Sequence, residues 1–147
     1  MDELTKTAYT AFASTYAFYL KTHNFHWNVE DENFYEAHLL FERIYTEVYG
    51  SIDDFAEKIR TLQAKVPASF TALKYLSVIA DQPDYPGRDV MIAELLSDNL
   101  KLIEVLNTTY DLAEANRKHG FSTFIADRID AQEKHGWMLR SQLPDTD

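Results

Sequence analysis

Residues 26–57 read HWNVEDENFYEAHLLFERIYTEVYGSIDDFAE, and the placement of two histidines and three acids within this stretch decides how the rest of the chain is read. His38 and Glu42 are four residues apart, as are Asp53 and Glu57, so on a helix each pair shares one face a single turn apart. At 100° per residue, with His38 at zero, Glu42 falls at about 40°, Asp53 at about 60° and Glu57 at about 100°. No proline interrupts the run between them and Gly50 is its one glycine, so an unbroken helix puts all four on one stripe. The rise from His38 to Asp53 is nevertheless roughly 22 Å, whereas two ligands of one metal ion lie within about 5 Å of each other when the bonds are about 2.0–2.2 Å. One helix cannot close such a site. A second copy running antiparallel, about a two-fold axis near Glu47 and Val48, sets His38 and Glu42 of one chain opposite Asp53 and Glu57 of the other and generates two identical sites per dimer.

Outward from this stretch the pattern is helical. From about Asp2 to Asn28, residues Leu4, Ala8, Ala11, Phe12, Thr15, Tyr19 and Thr22 recur at helical spacing and His26 continues their stripe, which points His26 toward the core. The polar segment Val29–Asn33 breaks the pattern, with Asp31 or Asn33 as the expected cap of the next helix, and its shortness makes the two helices antiparallel neighbours. A second helix is expected over about Phe34–Gln63, apolar on more than one side, as suits a bundle member that also meets another subunit. Ala64–Arg88 holds Pro67, Pro83, Pro86 and Gly87. It is too long for an ordinary turn and reads as a crossover along the bundle, with a short helix over Ser69–Ile79. A third helix follows over about Asp89–Lys118, stopped by Gly120, and a fourth over about Ser122–Gln142, ended by Pro144. The expected fold is all-α: a four-helix bundle of ferritin-like topology, whose second and third helices are parallel because of the crossover.

The bulk properties fit. A chain of 147 residues, 46% hydrophobic, suits one domain spanning 1–147. Its 24 acidic against 14 basic residues give a net charge of −10, with no clustered Lys or Arg of the kind nucleic acid needs, so cations are the natural partners. No cysteine is present, which excludes disulfides, thiolate zinc sites and iron–sulfur clusters. No apolar run is long enough to cross a membrane, and MDELTKTAYT at the amino terminus has no basic, apolar leader pattern; a cytoplasmic location is expected. Phosphate-loop, GxSxG and HExxH motifs are missing. So are the Glu-x-x-His pairs with which larger ferritin-like proteins build a metal centre inside one bundle.

Together these features resemble the Dps family of mini-ferritins (DNA-binding protein from starved cells). The residues that carry the resemblance are HNFHWNV at His23–Val29, Phe34, Ala37–His38, Phe41–Glu42, IDDFAEKI at Ile52–Ile59 and EKHGWMLR at Glu133–Arg140. The resemblance implies metal ligands at His26, His38 and Glu42 of one subunit with Asp53 and Glu57 of its two-fold mate, the same division that the spacing requires. It further implies a hollow dodecamer that acts as a ferroxidase, oxidising Fe(II) preferably with hydrogen peroxide and storing the ferric product as mineral against oxidative stress. Geometry alone does not choose iron, since a mixed nitrogen and oxygen site also takes Mn(II), Co(II) or Zn(II). Trp27 resembles the family's tryptophan beside the site, an interceptor of stray oxidising equivalents, with a packed indole at a helix end as the other reading. His23 reads as an exposed surface histidine, and Trp137 and Met138 as core or interface.

Several positions depart from the family pattern. Asp31 stands where glycine is usual, Glu42 where many members have aspartate, and Thr123 where an aspartate commonly lines the three-fold pore, a role left to Asp127 or Asp130. DNA binding is not expected. In the family it commonly depends on a Lys- or Arg-rich extension, whereas here only Lys6 lies near the amino terminus and the chain closes on PDTD. The competing readings are a non-catalytic helical assembly or DNA-coating protein, and a bundle holding redox-silent zinc.

Overall fold

A computed structural model describes residues 1–144; Asp145–Asp147, which belong to the acidic ending noted above, lie outside the described residues. The elements are α1 (Glu3–Asn28), α2 (Phe34–Thr61), a short α3 (Phe70–Leu76), α4 (Arg88–Ala115) and α5 (His119–Ser141), with no strand among the described residues. The four long helices pack as α1 against α2 and α4 against α5, with α1 also against α4, while α2 meets α5 more sparingly and α3 leans on α1. This is the expected four-helix bundle with a short helix in its crossover.

Each long helix buries the stripe its sequence prescribes. On α2 the buried positions are Ala37, Phe41, Ile44, Val48, Ser51, Phe55 and Ile59, a spacing of three and four that keeps one face inward. Each large side chain so buried contributes about 1.5–3 kcal/mol. On α1 the buried set includes Leu4, Ala8, Ala11, Phe12, Thr15, Thr22 and His26, so His26 does face inward. Leu100 on α4 is 63% exposed, and Trp137 on α5, read as core or interface, is 56% exposed in the single protomer and so lies outside its core. The buried turn around Leu100 is polar, with Asp98 and Asn99 inside.

The helix ends depart from expectation in instructive ways. Asp2 caps α1 by accepting the Thr5 N–H at 2.7 Å. At the start of α2 neither Asp31 nor Asn33 caps through its side chain. Both take left-handed backbone (φ 76° and 61°), a conformation asparagine and aspartate tolerate better than other non-glycine residues, so they bend the chain rather than cap it. Gly120 does not stop α4; it lies in the first turn of α5. The stop is Arg117 at φ 57°, whose N–H donates to Glu114 O at 3.0 Å while Lys118 N–H donates to Ala113 O at 2.8 Å, the paired bonds of a left-handed helix terminus. The short helix is also briefer than Ser69–Ile79, because Ser69 caps it through the Ala72 N–H and Ser77 already has extended backbone.

Buried charge fastens these elements. Lys21 of α1 bridges Asp98 (2.8 Å) and Glu94 (3.2 Å) of α4, and its ammonium also donates to the Ala80 carbonyl at 3.0 Å, pinning the crossover. Between α2 and α5, Arg128 donates to both Glu47 oxygens (2.6 and 3.0 Å) and His135 Nε2 lies 2.8 Å from Glu47 Oε1. Burial works against the charged form of Glu47, but hydrogen bonds from His135 and Arg128, with their charges, outweigh it and hold its carboxyl at about 2.

Candidate metal centre

The end of α1 and the first turns of α2 meet through two histidines. His26 Nδ1 lies 2.8 Å from the His38 carbonyl oxygen, and His38 Nδ1 lies 2.8 Å from the His26 carbonyl oxygen. A carbonyl only accepts, so each Nδ1 donates, and Nε2 is the ring atom left for a metal. The His26 carbonyl belongs to the last turn of α1, where carbonyls lack a partner within the helix, and His38 supplies one. The two rings stack at 3.9 Å with 17° between their planes. Reciprocal bonds of this kind orient imidazoles toward a metal. His26 is buried, His38 half-buried and Glu42 exposed, and one ligand atom from each lies within 4.8 Å of the others.

Asp53 and Glu57 are not in this group. They stand with Asp54 in a second, fully exposed group whose ligand atoms also lie within 4.8 Å of one another. Both groups ride on the one uninterrupted α2, so the axial separation derived from the sequence holds. The protomer brings together three of the five expected residues and leaves the other two on a distant turn. Asp54 was not singled out by sequence reasoning, although its place beside Asp53 was visible.

The surroundings of the histidine group are aromatic. His23 is not a free surface histidine: its ring lies between Trp27 (3.7 Å, 28°) and Tyr45 (3.8 Å, 10°), with the Tyr19 hydroxyl 3.0 Å from its Nδ1. Burial, and secondarily the neighbouring His26, pushes the His23 pKa down and favours the neutral ring. Burial likewise raises Tyr19, so its hydroxyl keeps its proton. Trp27 stacks on His23 and is 62% exposed in the single protomer. The i, i+4 pairs Tyr19–His23 and His23–Trp27 were the available signal for this stack.

Comparison with known proteins places this architecture. A ferritin-like domain family model matches residues 9–147. The DNA protection during starvation protein of Brevibacillus brevis is 32% identical over 126 residues, covering 85% of this chain and 84% of that protein. This chain belongs to the Dps family. A crystal structure of a Dps protein from Vibrio cholerae O1, described as a member of a broad superfamily of ferritin-like diiron-carboxylate proteins, superposes with a TM-score of 0.89 at 30% identity, covering 95% of this chain and 87% of that one. Dps from Thermosynechococcus elongatus shares the fold at a TM-score of 0.93 and 22% identity, over 99% and 92% of the two chains. The Dps fold is thus the four-helix bundle with a short crossover helix described above. No helix among the described residues is long and apolar enough to cross a membrane.

Proposed function

We propose that this Dps-family protein oxidises Fe(II), preferably with hydrogen peroxide, at centres completed across a two-fold contact, and stores the ferric product as mineral inside a hollow cytoplasmic dodecamer. His26, His38 and Glu42 of one copy supply one half of each centre, and Asp53 and Glu57 of the other copy supply the rest. The observation that carries this reading is the division of the donors: two imidazoles whose Nδ1 atoms are engaged by carbonyls gather with Glu42, while the remaining carboxylates stand on a remote turn of the same uninterrupted helix.

The chemistry follows from the donor set. Neutral imidazoles and carboxylates suit a divalent ion of intermediate hardness, and three carboxylates offset the charge gained as Fe(II) becomes Fe(III). Two Fe(II) ions, as substrate, give up two electrons; hydrogen peroxide takes both with two protons and leaves as two waters. Pairing the electrons avoids the hydroxyl radical that one-electron reduction of peroxide releases. Trp27, exposed and stacked on His23 beside the centre, is placed to intercept oxidising equivalents that escape this pairing.

The test is complementation between broken chains. His38→Ala and Glu57→Ala homomers, loaded anaerobically with Fe(II) and then given peroxide, are expected to lose the rise in ferric-oxide absorbance. Refolding the two together creates mixed dimers in which one of two centres is intact, so about a quarter of all centres return after random pairing. No recovery in the mixture, or full activity in either homomer, would overturn the proposal.

A further inference from the structure

A second set of nitrogen and oxygen donors lies inside the bundle, outside the candidate centre, and a guanidinium already occupies it. Arg128, Gln132 and His135 follow one another at four- and three-residue spacing on α5, so they share one stripe, and all three are buried. Glu47 of α2 meets that stripe. Arg128 Nη1 donates to Glu47 Oε2 at 2.6 Å, and Arg128 Nη2 donates to both Glu47 Oε1 (3.0 Å) and Gln132 Oε1 (2.9 Å). A carboxylate only accepts, so His135 Nε2 donates to the same Glu47 Oε1 at 2.8 Å. Its Nδ1 has no partner among the described residues, and the ring is held through Glu47 alone. The amide of Gln132 is fixed from behind: its Nε2 donates to Asn99 Oδ1 at 2.7 Å, which leaves Oε1 turned toward the guanidinium.

Without the guanidinium this is a metal-binding set. A carboxylate, an imidazole and an amide oxygen are ligands that divalent ions of intermediate hardness accept. Atoms bound to one such ion at about 2.0–2.2 Å lie roughly 3 Å from each other, and His135 Nε2 and Glu47 Oε1 are already 2.8 Å apart. The sequence conceals the set, because Glu47 and Arg128 are 81 residues apart and no Glu-x-x-His pair marks it. A carboxylate drawn into a protein interior needs a cation beside it, and here the chain supplies its own, with its donors on the oxygens a metal would use. Asp98, the one buried acid among the described residues, is treated alike and closes on Lys21 at 2.8 Å. We propose that Arg128 is a specificity-determining residue, a built-in cation that keeps a divalent-metal site inside each bundle closed, so that metal is left to the centre at His26, His38 and Glu42. Only that last clause rests on the shared-centre reading; the closed interior site stands by itself.

The test uses the full chain carrying His38→Ala and Glu57→Ala, which disables the candidate centre. In that background Arg128→Met, which removes the charge, and Arg128→Ala, which also opens space, are each titrated with Co(II) and compared with the parent that keeps Arg128. Each is expected to gain about one Co(II) per chain, with the visible absorption of a nitrogen- and oxygen-ligated ion, and a further His135→Ala is expected to weaken that binding by about tenfold or more. Zn(II) should raise the thermal midpoint of the Arg128 variants and leave that of the parent unchanged. If a variant does not fold without metal, refolding with Zn(II) is expected to restore its helical dichroism, and failure under both conditions counts against the proposal. Co(II) binding no tighter in the variants than in the parent, or a gain that His135→Ala leaves intact, overturns it. Because the background already lacks ligands of the shared centre, a negative result here leaves the outcome of the complementation experiment standing, and failed complementation leaves this site standing.

Discussion

Glu47 sits between the two candidate ligand groups on α2, yet it faces α5 and serves Arg128 and His135. Its carboxyl is held at about 2 against an ordinary 4.5, so folding favours the charged form. A depressed folded-state pKa contributes stability that is fully present above about 4.5 and lost as the pH falls toward about 2. Wild-type thermal midpoints should therefore drop across that window more steeply than those of Glu47→Gln. At neutral pH the variant should be less stable by about 1–3 kcal/mol, less than a fully buried pair costs, because the Glu47 side chain is 40% exposed. Calorimetry at a series of pH values checks both; parallel profiles would show that Glu47 is not the acid-sensitive group. This contact was not legible in the sequence, since its partners are 81 and 88 residues away. His38–Glu42 and Asp53–Glu57 were legible because helical spacing is local. His23 was misread because its three aromatic neighbours come from both α1 and α2.

At the scale of elements, hydrophobic periodicity located every long helix, because a stripe at three- and four-residue spacing is the same signal on the page and in the core. Their ends were less legible. Arg117 and Gln63 occupy left-handed positions (φ 57° and 63°) that composition assigns to glycine, and packing overrides that preference. The α4–α5 pairing shows how a glycine is used when packing does demand it. Asn99 donates to the Gln132 carbonyl at 2.8 Å and accepts from Gln132 Nε2 at 2.7 Å, with Gly136 beside it leaving no room for a methyl group. Alanine in a helix interior ordinarily adds about 1 kcal/mol, whereas forcing a methyl into a packed core costs about 1–3 kcal/mol. The buried, doubly bonded Asn99 has little freedom to yield, so Gly136→Ala should destabilise by about 1–2 kcal/mol net. Urea unfolding measures this, and a stabilised variant would mean that the Asn99–Gln132 bonds are not what hold α4 to α5.

For the whole molecule, charge is the governing quantity. If the proposed two-fold contact brings Glu42, Asp53 and Glu57 to one centre, they repel one another until a cation joins them, so divalent ions should tighten assembly. Zinc, which cannot be oxidised further, should shift light-scattering mass toward the oligomer in dilute protein and chelation should reverse it; equal masses with and without metal would separate assembly from the centre. The same balance bears on nucleic acid. Relatives carry names that refer to DNA protection, but this chain has a net charge of −10 and only 14 basic residues. Three of these are already committed: the side chains of Lys21, Arg88 and Arg128 are 7%, 11% and 6% exposed and paired with Asp98, Asp89 and Glu47. Duplex affinity grows with the number of phosphates neutralised and falls steeply with salt. With the remaining cations scattered over an acidic surface, no mobility shift of duplex DNA is expected at about 0.15 M salt, and any shift at low salt should vanish as salt is raised. A tight complex persisting at physiological ionic strength would require a basic surface that the described residues do not form.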